Sequence, residues 1–214
     1  TTAADGAEAG SSERAVTDEL RQRLGLELEP WERIFESDFE VLDSAAADKL
    51  ITAKRAATVQ GGVTGVTGAP GLIADIPTLY FLIFRTVHQI ALCFGHPADT
   101  PAEKRYLLQV VNVGHHLELR DRRLALLELE ELEQQLDNHE GTSEDLQRAL
   151  LAKSVQLLAR KLTSTLLQRK ATQAVAVVGG AVGAIHNRQL VEDVGLTAIH
   201  AYRTRFLQRR SRLL

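Results

Sequence analysis

The run GGVTGVTGAPGLIADIPTLYFLIFRTVHQIALCFG, Gly61 to Gly95, decides how the rest of the chain is read. Its opening, Gly61 to Gly71, holds five glycines in eleven residues, which either break a helix or let one pack very closely. Asp75 then stands where a helix N-cap is expected, with Pro77 in the first turn. From Ile76 to about Phe94 the chain is apolar on nearly all sides, the pattern of a central, buried helix. Its length would span a bilayer, but Arg85, His88 and Gln89 interrupt it. A central arginine costs roughly 2.5–3.5 kcal/mol in lipid, so the segment reads as the core helix of a soluble fold. The single cysteine, Cys93, lies in the same run and reads as a buried, inert thiol. One cysteine excludes an internal disulfide framework and points to a reducing, cytoplasmic setting.

Charged groups on an apolar helix are costly unless paired. Ten residues of helix separate Asp75 from Arg85 by about 15 Å, so neither satisfies the other. Asp75 is expected to cap its own helix, and Arg85 to meet an acid on another helix, Glu192 or Asp193. Asp75, Arg85 and His88 are then either a polar tie between helices or a polar centre that orients a ligand head group.

Outward from this run the pattern stays helical. Glu29 to Gln60 reads as one long helix with Pro30 at its start. Trp31, Phe35, Leu42, Ala45, Ala46 and Ala53 share one side, and Glu32, Glu36, Glu40 and Asp43 another. Thr100-Pro101-Ala102-Glu103 is a capping box that starts a helix carrying Tyr106, Leu107, Val110, Val111 and Val113. Ala125, Leu129, Leu132 and Leu136 follow a coiled-coil-like spacing too short for a coiled coil. Thr142 or Ser143 caps a helix to about Thr172, with Leu151, Val155, Leu158, Leu162 and Leu166 on one arc. AVAVVGGAVGAI, Ala174 to Ile185, places small residues four apart, which lets a second helix approach closely. A last helix runs from about Asn187 to Arg210.

Leu, Ala and Val dominate the apolar content, and aromatics are 5%. The fold class is therefore all-α: one compact domain of about six or seven helices with a buried central helix and close, glycine-mediated packing. Residues 1–28 read as a flexible acidic tail or short helix, 29–210 as the domain and 211–214 as a tail. The chain has no methionine, so its visible start reads as trimmed or altered. Net charge is −3, but unevenly placed: residues 1–48 hold four basic against thirteen acidic side chains, and residues 146–214 twelve against two. Either the two ends lie against one another or are separate solvated faces, or the basic end faces an anionic surface such as phospholipid through Arg203, Arg205, Arg209, Arg210 and Arg212.

Motifs for chemistry are absent. The glycine run has no Lys for a P-loop and no preceding strand for a dinucleotide site. His115 and His116 point about 100° apart on a helix and cannot share a metal unaided. No HExxH, CxxC, DxDxDG or GxSxG occurs. No metal, no cofactor and no nucleic-acid partner is expected, and the reading leans away from an enzyme.

The chain resembles the EcsC family. Gly61 to Gly95 carries the glycine-rich entry, Ala-Asp-Ile-Pro, an Arg, then Ile-Ala and an aromatic-Gly. Ala174 to Leu207, AVAVVGGAVGAIHNRQLVEDVGLTAIHAYRTRFL, carries a Gly-Gly run, an Asn and a helix ending in Tyr-Arg-x-Arg. By that resemblance Asp75, Pro77, Arg85, Gly95 and Asn187 match the family's marked positions. His96-Pro97 departs from it, where the family often has an Asp. The resemblance implies a bacterial protein in a transport or membrane context, linked by name to an ABC-transporter locus, with no established reaction. The expected function is a non-enzymatic accessory protein at the cytoplasmic membrane face or on a membrane transport complex. The alternative is a carrier or enzyme that holds a lipid-like ligand between helices near Arg85 and His88, with Asp75 and Asn187.

Overall fold

The computed structural model describes residues 3–25, 28, 31–66, 69–116, 118–137, 143–173 and 179–213, with side chains from Ser12 onward except at 31–32, 63–75, 137 and 161–182. These form helices α1 (Ala3–Leu24), α2 (Phe39–Val66), α3 (Ala69–Cys93), α4 (Pro101–His115), α5 (Leu119–Asp137), α6 (Glu144–Gln173) and α7 (Gly179–Leu213), plus a 3-10 turn at Trp31–Glu36. No strand occurs among the described residues. The class is all-α in a single domain.

The spine is α7. Its most extensive interface is with α2, and the two run antiparallel over nearly their whole length. Gly61 lies against Gly183, Lys54 pairs with Glu192, Leu50 covers Gly195, Asp43 holds Arg203, and the Ser37 carbonyl accepts from Arg210. The contacts step down α2, and past its start to Ser37, as they step up α7. On another side of α7, α4 is also antiparallel. Gly114 meets Val194, Tyr106 meets Tyr202 edge-on, and Glu103 binds Arg205. α3 packs on α2 and α7, α1 packs on α3 and α2, and α5 and α6 lie on α4.

The core follows from these crossings. Leu42, Ala45, Ala46, Leu50, Ala53 and Ala57 line the buried side of α2, and Leu190, Val191, Val194, Ala198, Ile199, Tyr202 and Phe206 that of α7. The alanines and glycines keep the pair close. A Cβ on Gly61 would stand 2.6 Å from the Gly183 carbonyl oxygen, and one on Gly114 2.5 Å from Val194 Cα. Phe35, Phe39, Phe94 and Phe206 close one end of the core with ring centroids 5.5–6.4 Å apart. The chain turns into the α3–α4 link at Gly95, whose φ of 77° suits a residue without Cβ.

Several expectations are corrected. The helix expected over Glu29 to Gln60 is two elements, because Asp38 caps a new start: the Glu40 amide donates to its Oδ1 at 2.9 Å. α2 continues through Gly61 and Gly62, and α7 crosses at Gly61 too closely to admit a Cβ there. α3 begins at Ala69, so Asp75 and Pro77 lie inside it and Asp75 is not its N-cap; the Asp75 side chain is outside the described residues. The expected Asn187 start of the last helix moves back to Gly179. The Ile76–Cys93 stretch is 50% buried rather than enclosed, and the central element is α7. The acidic start carries α1, whose Val16 and Leu20 sit in the core four residues apart. Thr100, by contrast, caps α4 as its sequence implies, accepting from the Glu103 amide with Pro101 at the first position. Ser143 caps α6 through the Leu146 amide.

Candidate functional site

Arg85 is exposed on α3 and makes no ion pair among the described residues. Of the two acids expected to hold it, Glu192 is bound instead to Lys54 on α2, and Asp193 forms no ion pair with it among the described residues. A guanidinium in water needs no buried partner, so the cost that pointed to an inter-helix tie does not arise. His88 is partly buried three residues on, and burial pushes its pKa below the usual histidine range, with Asp99 opposing and Lys104 reinforcing. Arg85 and His88 make no hydrogen bond with each other, and Asn187 is partly buried near the start of α7.

The buried arginine is Arg205. Its side chain is 8% exposed and donates both terminal nitrogens to the Glu103 carboxylate, at 2.7 and 2.8 Å. Its guanidinium also lies over the Tyr106 ring, 4.3 Å from the centroid. Burial alone would lower its pKa, but the hydrogen bonds and charge of Glu103 raise it, so Arg205 stays charged. Beside it, His96 is buried between Phe35 and Tyr202. Burial, then Arg205 and Arg209, hold His96 well below the ordinary histidine pKa, so it is neutral.

The other arginines of this end are also engaged. Arg203 bonds Asp43 through Nε at 2.9 Å, Arg209 lies over Phe35 at 4.6 Å, and Arg210 donates to the Ser37 carbonyl at 3.3 Å. Arg212 is exposed, though not without an interaction. The two oppositely charged ends thus lie against one another. Asp43 of the acidic stripe is used internally, while Glu36 and Glu40 remain exposed. Nothing local in the sequence marks Glu103 as an ion-pair partner, because its capping-box position already explains it.

The opposite end of the molecule is different in kind. Between Arg55 and Arg85 the only charged side chain is Asp75, and none occurs from Ala171 to Asn187. The Gly61–Gly183 crossing brings the end of α2 and the start of α7 together, and the short α2–α3 link adds the start of α3. Val59 is 68% exposed and Ile185 54% exposed at this pole. Cys93 lies far from it, buried, its thiol pushed up to about 12 by burial.

A cleft of about 390 Å³ lies elsewhere, between α4, α5 and α6. Arg105, Asn112, Glu131, Leu132, Ser154 and Leu158 are among its lining residues, and neither Arg85 nor His88 is. Among the described residues no group of three or more His, Cys, Asp or Glu could hold a metal ion.

The model of the EcsC protein family matches residues 4–207. The uncharacterized protein YdbA of Bacillus subtilis (strain 168) is 26% identical over 196 residues, which cover 91% of this chain and 69% of that protein. No solved structure matches the chain.

Proposed function

Because the chain belongs to the EcsC protein family and its fold gathers three uncharged segments at one pole, we propose that it is a non-enzymatic accessory protein that docks on the inner face of the cell membrane through that pole. The observation that carries this reading is the Gly61–Gly183 crossing, which places the charge-free end of α2 beside the charge-free start of α7. From Gly179 to Asn187 the uncharged start of α7 extends about 12 Å, more than the 5–10 Å by which interfacial helices enter a bilayer. Val59 and Ile185, already out of the core, would each gain on the order of 1 kcal/mol by leaving water. The binding is therefore reversible rather than anchoring. A membrane transport complex is the neighbour that the family's name implies.

Docking by the pole differs from docking by the basic C-terminal end. Arg203, Arg205 and Arg210 bond inside the molecule, so they have less to offer an anionic lipid. Flotation with neutral and anionic vesicles at low and high salt tests the reading. Binding should survive salt and be lost in Val59→Glu/Ile185→Glu. Failure to float with any vesicle, or full binding by that double variant, would refute it.

A further inference from the structure

Among the described residues the backbones of α5 and α6 both lie close to α4 and not to each other, so the cleft between them has α4 as its floor. On that floor stands Arg105, partly buried, with its Nε out of reach of solvent and without a hydrogen-bond partner. It makes no ion pair among the described residues, and burial pushes its pKa down with no acid to offset it. A guanidinium partly shielded from water, with no anion beside it, keeps its bonding capacity free, and its planar fork matches a carboxylate. Around it the walls are aliphatic: Leu108 from the floor, Leu132 from α5, and Leu157 and Leu158 from α6. Leu157 is 48% exposed, although it stands at the cleft. The remaining polar groups are largely spoken for. Gln109 donates to the Ala125 carbonyl and to Glu128, and Asn112 donates to Gln109. Glu128 and Glu131 belong to the α5 wall and are exposed, so water screens them, whereas Arg105 lies deeper.

We propose that this cleft binds a small amphiphilic carboxylate, its head on Arg105 and its aliphatic body along Leu108, Leu132, Leu157 and Leu158. At roughly the 30 Å³ that a water molecule occupies, the volume suits about a dozen non-hydrogen atoms. The site lies on different helices from the uncharged pole and does not depend on membrane docking. The occupant would bridge α5 and α6, whose backbones among the described residues approach α4 but not each other.

Decanoate is a probe of the right size. Calorimetric titration of the full chain should show saturable binding of one decanoate, with decanol and acetate each at least about tenfold weaker, the loss expected for one charged hydrogen-bonding group or its apolar counterpart. Arg105→Gln should weaken decanoate by a similar factor, and Ser154→Phe, which narrows the cleft, should also weaken it with Arg105 intact. Glu131→Gln should tighten it, since a nearby negative charge is removed. Thermal melts establish that each variant is folded. The proposal is overturned by decanol binding as tightly as decanoate, by no saturable binding of either, or by Arg105→Gln binding within twofold of the parent. Weaker binding by Glu131→Gln would likewise overturn it, by showing that the acid wall receives a cationic group. Should a variant fail to fold, the comparison of decanoate with decanol on the unmodified chain still decides.

Discussion

Arg205 and Glu103 meet where α4 and α7 cross, and little water reaches either: their side chains are 8% and 19% exposed. Removing one partner strands the other's charge, which costs about 3–5 kcal/mol in buried pairs. Glu103→Gln and Arg205→Met should each lower stability by about that much, and the double variant by clearly less than the sum. Urea unfolding of the three proteins gives the coupling energy; strict additivity would mean that the pair does no more than its parts. His96, beside Arg205 and Arg209, adds a pH dependence whose sign is fixed. Its folded pKa lies well below the unfolded value of about 6.5, so folding favours the neutral ring. Its contribution is present above about pH 6.5 and is lost as pH falls toward the folded pKa. His96→Gln should therefore flatten the loss of melting temperature on acidification below about pH 6.5, while the parent falls steeply. Identical slopes would remove His96 from the account.

Two adjacent glycines in α2 test how the helices are held together. Gly61 faces the Gly183 backbone at a distance that admits no Cβ, whereas nothing lies within 4 Å of a Cβ built on Gly62. Gly61→Ala should cost about 1–3 kcal/mol through overpacking. Gly62→Ala should instead gain about 0.5–1 kcal/mol, the ordinary preference for alanine in a helix. Chemical denaturation of both variants checks this, and equal effects would deny that α7 crosses there. The contrast also marks what the sequence reveals at this scale. Caps are local, so Thr100 with Pro101 and Glu103 announces the start of α4 without the rest of the chain. The seam Ala125, Leu129, Leu132 and Leu136 is equally legible, and all four turn toward the core. Glycine has two opposed uses, breaking a helix or admitting another, and only the position of α7 decides between them. The same holds for the arginines. Hydropathy makes Arg85 look buried and Arg205 look free, because which face of a helix is covered depends on partners far away in sequence. α3 is apolar enough for a core and yet leaves Phe81 50% exposed and Arg85 in water.

At the scale of the whole molecule, antiparallel pairing of α2 with α7 sorts the chain's charge. It sets the basic end of α7 against Asp43 and the Ser37 carbonyl, so part of the basic end's bonding capacity is used inside the fold. It leaves the other end without charge on α2 or α7, which is the physical basis on which membrane docking by that end is proposed. Two probes on one helix separate the pole from the basic end. Ile185 and Leu207 stand at opposite ends of α7, 54% and 46% exposed, and the chain's own Cys93 is buried and does not compete for label. A polarity-sensitive fluorophore is attached to Ile185→Cys in one protein and to Leu207→Cys in another, and each is mixed with anionic vesicles. Docking by the uncharged pole predicts a blue shift from position 185 and none from 207. A shift from 207 alone, or from neither position, would contradict it.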